Sequence, residues 1–275
     1  MKIVLDSSKT LAEDSLDHLH PLGTALNSST NPRFNRKLYA LFHSRSLTIL
    51  DLGCAGGGFV EECLRDGHVA VGLEGSDLSR RTRRASWATI PDNLFTCDVT
   101  EPFTLHTSDD ASPLRFDVVT AWEILEHIPK EKLAGLLENL RRHLAPGGLF
   151  LASISSGPSD SEGHDLHVTR ENKAWWRHRL EQGGFCYQKG LIRYFAGEFV
   201  RGSSEAPDAF HVFYSDRPNA VSVPPAGVSS LRHQLKAPRE SYYILTKPGG
   251  PSAGARIRQF LAFYSDIALS LVGGN

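Results

Sequence analysis

An α/β fold is what this sequence predicts: a doubly wound, mostly parallel seven-stranded sheet with helices on both faces, an N-terminal cap, and an insertion before the last strand. Two observations carry that expectation. Between residues 48 and 156 short apolar runs alternate with helical patterns, the signature of strand–helix–strand crossovers and hence of parallel pairing. In the first of these strands Ile49, Leu50 and Leu52 run straight into Gly53, Gly56, Gly57 and Gly58. The chain therefore turns sharply where a helix begins, and its backbone is free to approach a ligand there.

Each element follows in order. Residues 1–45 lack strand alternation and hold a turn-rich stretch at 23–32, followed by a helix over 36–42; they read as an arm or cap. Residues 46–195 together with 240–250 form the ligand-binding domain. Its strands are predicted at 49–52, 69–74, 93–99, 116–122, after the turn at 144–148, at 185–194 and at 242–246. A helix over 59–65 points its first N–H groups at the ligand. Thr169 is placed to N-cap a helix over 170–182, which Gly183 and Gly184 stop. Residues 196–239, broken by Gly, Ser and the pair Pro224 and Pro225, read as an insertion that shapes the substrate site. In 251–275 Ile257, Phe260, Leu261, Tyr264, Ala268 and Leu271 recur at helical spacing. That C-terminal helix packs on the domain or on a second subunit, so a homodimer stays open.

Composition narrows the class. A chain of 275 residues suits one enzyme domain with additions, and a net charge of −1 gives no general drive towards nucleic acid or anionic membrane. Cys54, Cys63, Cys97 and Cys186 are scattered without a C-x-x-C pair, which predicts reduced thiols and a cytoplasmic protein. The opening residues lack the apolar segment of a signal peptide, and no stretch reaches membrane-span length. The dense basic run Arg80, Arg81, Arg83, Arg84 reads as a solvated face or as a contact for an anionic acceptor.

The ligand is narrowed by its acids. Asp51, beside the glycine loop, would repel a pyrophosphate but favours a ligand carrying an ammonium and a sulfonium. Glu74 ends the second strand about twenty residues after the glycines, where an acid accepts ribose hydroxyls. Asp98 ends the third strand, and Leu144-Ala145-Pro146-Gly147-Gly148 forms a helix-to-strand turn. In this order the features resemble the class I S-adenosylmethionine-dependent methyltransferases, whose first motif is written Asp-x-Gly-x-Gly-x-Gly; Ala55 stands where the motif has its middle glycine. The resemblance covers about residues 45–184 and implies a Rossmann-like sheet with S-adenosylmethionine as cofactor. It assigns Glu74 to the ribose, Asp98 to the adenine amino group, and the loop from Trp122 to the methionine portion. The implied cofactor set is Asp51, Gly53, Cys54, Ala55, Gly56, Gly57, Glu74, Gly75, Cys97, Asp98, Val99 and Trp122.

Methyl transfer to a hydroxyl asks for alignment and for a base. Glu123, Glu126 and His127 stand at i, i+3, i+4, so one helical turn would set them on one face. In the ubiquinone-pathway O-methyltransferases a similar stretch lies between cofactor and acceptor, which makes His127 the general base. In RNA 3′-terminal 2′-O-methyltransferases the same stretch and a later histidine hold Mg²⁺, which here would take Glu123, Glu126, His127 and His167. A divalent metal is thus open but not expected, since imidazole is not a ligand that Mg²⁺ requires. His164, His167 and Trp175 are candidates to line the acceptor pocket. The expected activity is O-methylation of a small-molecule or glycan-like acceptor. Nucleic acid is not expected, because basic surface interleaved with aromatics is lacking. A third reading is a nucleoside-binding interaction module without turnover; the retained acids Asp51, Glu74 and Asp98 speak against it.

Overall fold

The computed structural model describes residues 2–161, 163–202 and 209–223. Strand β1 spans Ile3–Ser7. Helices α1 (Leu16–Leu19), α2 (Leu22–Leu26) and α3 (Pro32–Leu41) follow it through the arm. Then come β2 (Thr48–Leu52), α4 (Gly58–Arg65), β3 (Val69–Glu74), α5 (Leu78–Arg81), β4 (Leu94–Thr96), β5 (Phe103–Thr107) and β6 (Phe116–Trp122). The remainder is α6 (Leu133–His143), β7 (Leu144–Ser155), the short pair β8 (Asp160–Ser161) and β9 (His164–Asp165), α7 (Lys173–Gln182), β10 (Cys186–Tyr187), α8 (Leu191–Phe195) and β11 (Ala209–Ser215).

Among the described residues seven strands form the main sheet, in the order β10-β11-β7-β6-β2-β3-β4. The five from β7 to β4 run parallel, and β11 is antiparallel to both of its neighbours. From β2 the chain winds outward through β3 and β4, then returns to β6 on the other side. That reversal opens a crevice at the carboxyl ends of β2 and β6, where doubly wound sheets bind ligands. Alternate residues feed two apolar layers, one on each face: Leu50, Leu52, Val119 and Ala121 in one, Ile49, Val118, Leu149 and Leu151 in the other.

Several elements differ from the sequence-based expectation. The sixth strand, expected over 185–194, shrinks to β10. Gly190, at φ +86°, turns the chain into α8, whose Leu191 and Phe195 fill the core at i, i+4. The strand that joins β10 to β7 is β11, inside the segment read as an insertion. Its buried Val212, Phe213 and Tyr214 follow His211, so no clean alternation marks it. The strand expected at 242–246 and the helix expected at 251–275 lie outside the described residues. An unforeseen antiparallel pair joins β1 to β5. Helix α7 is capped by the Asn172 side chain, which accepts from Trp175 N at 3.0 Å. Thr169, the expected cap, is buried and donates Oγ1 to Ile128 O at 2.7 Å.

Helix α3 starts earlier than expected because Asn31 caps it. Its Oδ1 accepts from Arg33 N and Phe34 N, while Nδ2 donates to Phe199 O at 2.8 Å. The cap fixes Phe34, which stacks on Phe195 and meets Trp122 edge-on with ring centroids 5.1 Å apart. Asn31→Ala should therefore lower stability by about 1–2 kcal/mol, read from the denaturant midpoint. An unchanged midpoint would show that Pro32 alone starts the helix.

Candidate functional site

A cavity of about 400 Å³ opens at the carboxyl ends of the central strands, where the topology places the crevice. Gly53 begins its floor. It holds φ +67°, and a Cβ there would come within 2.0 Å of Ile124 Cδ1, so only glycine lets the loop after β6 close against the loop after β2. Residues of α1 and α2 form the roof, with Asp17, His18, Leu22, Thr24, Leu26 and Asn27 among the lining.

Two buried acids line the cavity. Glu74 Oε2 accepts from Ala55 N at 2.7 Å, and Oε1 accepts from Thr24 Oγ1 and Ser76 N at 3.2 Å each. Burial pushes its carboxyl up, and the Ser76 and Ala55 N–H groups work against that shift. Asp98 Oδ1 accepts from Thr100 Oγ1 at 2.6 Å and from Thr100 N at 3.1 Å. Its Oδ2 is buried without a hydrogen-bond partner among the described residues, 3.7 Å from Lys9 Nζ. A buried carboxylate oxygen with a spare lone pair is what an amino-bearing ring needs. Gly75, Cys97 and Val99 also line the cavity, and burial pushes the Cys97 thiol up to about 11.

Glu123 and His127 also line the cavity; Glu126 and His127 stand on a 3₁₀ turn over Leu125–His127, and Glu123 precedes that turn, so the three do not share an α-helical face. Glu123 takes φ +55° and turns to Arg201, with Nη2 donating to its Oε2 at 2.5 Å. Glu126 is fully buried; Oε1 accepts from Ser155 N at 2.7 Å, and Oε2 has no hydrogen-bond partner among the described residues. Burial pushes this carboxyl up to about 7. His127 Nδ1 lies 2.8 Å from Asp17 Oδ2, within ion-pair reach but outside hydrogen-bond alignment. Burial opposes the imidazolium, yet the carboxylates of Asp17 and Glu126 outweigh it and hold the His127 pKa above its ordinary value. His167 packs edge-on against His127 at 4.6 Å, its Nδ1 2.6 Å from Gly157 O. One ligand atom each of Glu126, His127 and His167 falls within 4.8 Å of the others, so these three could hold a cation. Glu123, the further expected ligand, is not in that group.

Other predicted residues lie elsewhere. Asp51 is buried behind the loop, where Oδ1 accepts from Thr120 Oγ1 at 2.6 Å; burial pushes it up to about 7. Its carboxylate is part of the sheet, so the attraction for a cationic ligand argued from the sequence does not act by contact. Cys54 packs against Gly72, and Trp122 sits in the core with Phe34 and Phe59. Neither lines the cavity, and its lining also omits Gly56 and Gly57. Gly56 N donates instead to Asn27 O of the arm at 3.0 Å, and Gly57, at φ +79°, starts α4. Exposed His164 stacks on His20 at 4.3 Å. Trp175 meets Trp176 edge-on beneath Lys130 Nζ, away from the cavity. The arm residues Asp17 and Thr24, and Arg201 beyond α8, escaped the sequence reading, because no spacing ties them to the motifs.

The fold and this arrangement of strand-end acids define a Rossmann-like methyltransferase domain. The chain matches the methyltransferase-domain family over residues 27–197, more than half its length, and belongs to the S-adenosylmethionine-dependent methyltransferases. It is 34% identical over 116 residues to a mitochondrial ubiquinone biosynthesis O-methyltransferase of Candida albicans, covering 42% of this chain and 35% of that one. Against the ubiquinone biosynthesis O-methyltransferase of Paraburkholderia phytofirmans the figures are 30% over 126 residues, 46% and 52%. The chain thus spans about half or less of the length of these relatives. Among solved structures, a TehB-like SAM-dependent methyltransferase from Corynebacterium glutamicum aligns with TM-score 0.49 and 16% identity, covering 72% of this chain and 94% of that one. The cofactor of the chain is S-adenosylmethionine. The buried acids Glu74 and Asp98 fit its ribose and adenine. Among the described residues no helix is long and apolar enough to cross a membrane.

Proposed function

We propose that this chain methylates an oxygen of a small-molecule acceptor, with His127 as general base. The observation that carries the reading is one cavity lined by Glu74, Asp98, His127 and His167, with the two imidazoles in contact. The bound cofactor supplies an activated methyl group on its sulfonium. In this reading Asp98 Oδ2 accepts from the adenine amino group, Glu74 accepts from the ribose, and His127 takes the acceptor's proton. Ile124, Leu166, Pro158 and the arm residues Leu22 and Leu26 add apolar surface to the lining, which suits an acceptor with an apolar part. The names of the ubiquinone biosynthesis relatives support oxygen as the methylated atom. The basic run gives no support to RNA: Arg80 donates to Thr96 Oγ1, Arg81 pairs with Asp77, and Arg84 binds the arm carbonyls of Thr24 and Asn27. Cysteines 54, 63, 97 and 186 are all free thiols, in keeping with a cytoplasmic location.

A second reading rests on the unpartnered Glu126 Oε2 beside two imidazoles, namely metal-assisted transfer with Glu126, His127 and His167 as ligands. Transfer of a labelled methyl group to fractionated cell extract, with and without chelator, separates the two. Product that survives chelation supports His127 alone, and product lost with chelator and restored by a divalent ion supports the metal. Absence of product in every fraction, from protein that binds the cofactor, leaves the non-catalytic module.

Glu74→Ala should weaken S-adenosylhomocysteine binding by about 1.5–3 kcal/mol, since the acceptor lost is charged. That is more than tenfold in Kd by calorimetry. An unchanged Kd in a folded variant would take Glu74 out of the cofactor site.

A further inference from the structure

The arm does more than cover the cavity. Thr24, on α2, donates its hydroxyl to Glu74, the acid that the cofactor reading gives to the ribose. A carboxylate offers about four lone-pair sites. Ala55 N, Ser76 N and Thr24 Oγ1 take three of those on Glu74, which leaves about one. Ribose brings two vicinal hydroxyls. The backbone donors belong to the loops after β2 and β3 and are fixed by the fold, whereas the Thr24 hydroxyl arrives on a short helix of the arm.

We infer that Thr24 competes with the ribose for Glu74, so that the arm holds the cofactor site in a resting arrangement and thereby sets cofactor affinity. The inference rests on the reading of Glu74 as the ribose acid. Four further hydrogen bonds hold the arm in this position. Arg84 donates to the carbonyls of Thr24 and Asn27 at the end of α2, Gly56 N donates to Asn27 O, and Ala12 N donates to Gly75 O. They span the glycine loop and the end of β3, the two backbone stretches that flank a bound nucleoside in this fold. The arm also reaches the candidate base, where Asp17 stands against His127. Its apolar side chains are poorly buried: Leu19 is 60% exposed, and Leu26, which lines the cavity, is 72% exposed. Shifting α1 and α2 therefore sacrifices little apolar packing. A chain that spends most of its time with Thr24 on Glu74 binds cofactor with an affinity reduced by the fraction that is competent.

Calorimetry with S-adenosylhomocysteine tests this on the full chain. Thr24→Val should bind about tenfold tighter than the parent, Thr24→Ala should move the same way, and Thr24→Ser, which keeps the hydroxyl, should match the parent. In a Glu74→Ala background the gain should vanish, because the two side chains act as a pair. Thr24→Val and Thr24→Ala binding no tighter than the parent, while Glu74→Ala binds more weakly, overturns the competition and leaves the cofactor reading intact. A gain that persists without Glu74 also overturns it, since the arm would then act through some other contact. A parent chain that binds no S-adenosylhomocysteine, or a Glu74→Ala variant that binds as well as the parent, overturns the cofactor reading and the competition with it.

Discussion

His127→Ala is expected to lower turnover by roughly 10²–10⁴-fold while leaving S-adenosylhomocysteine affinity nearly unchanged, because removal of the acceptor proton matters only in the transition state. The site gives this expectation a direction in pH as well. With Asp17 and Glu126 beside it, His127 keeps its proton to higher pH than an ordinary histidine. Activity should therefore fall as pH drops through a midpoint above the usual value near 6.5. Asp17→Asn removes the nearest negative charge and should move that midpoint down. A steady-state pH profile of the parent and of both variants reads all three effects. Full turnover in His127→Ala would show that the imidazole is a structural partner of Asp17 and His167, and both active-site readings would fail together.

The parts legible in the sequence are those whose physics is local. The central strands are continuous apolar runs because both faces are buried. The glycine loop shows itself because Gly53 must hold a positive φ against Ile124. The acids Glu74 and Asp98 stand at strand ends, where the topology opens its crevice. What was not legible depends on contacts between distant segments. Asp17 and Thr24 come from an arm with no periodic signature and reach residues 110 and 50 positions away. The i, i+3, i+4 spacing of Glu123, Glu126 and His127 promised one face. The left-handed turn at Glu123 breaks that spacing and sends its carboxylate to Arg201. Asp51 reads as a ligand contact from its charge beside the glycine loop; here Thr120 on the neighbouring strand donates to its carboxylate. Trp122 followed the loop by position, yet a ring of that size is better buried against Phe34 and Phe59 than set at a wet rim.

Glu126→Gln should stabilise the protein at pH 8 and change little at pH 4. Below pH 4.5 the Glu126 carboxyl carries its proton in both the folded and the unfolded chain. Between 4.5 and about 7 the unfolded chain ionises while the folded chain keeps the proton, so stability falls as pH rises through this window and levels off above it. The gap from 4.5 to about 7 corresponds to on the order of 3 kcal/mol at about 1.36 kcal/mol per pH unit. Glutamine keeps the carbonyl that accepts from Ser155 N and carries no charge to bury. At pH 8 its melting temperature should therefore exceed that of the parent by about 6–12 °C, a gap that closes towards pH 4. Asp51, also pushed up to about 7, leaves the same slope in both proteins and cancels in the comparison. A divalent ion held by Glu126, His127 and His167 would pull the carboxyl down again, because it binds the ionised form. In that case Mn²⁺ should raise the melting temperature of the parent at pH 8 and leave Glu126→Gln where it was. Parent and variant differing by the same amount at pH 4 and pH 8, with or without Mn²⁺, would mean that Glu126 ionises as freely in the fold as in the unfolded chain.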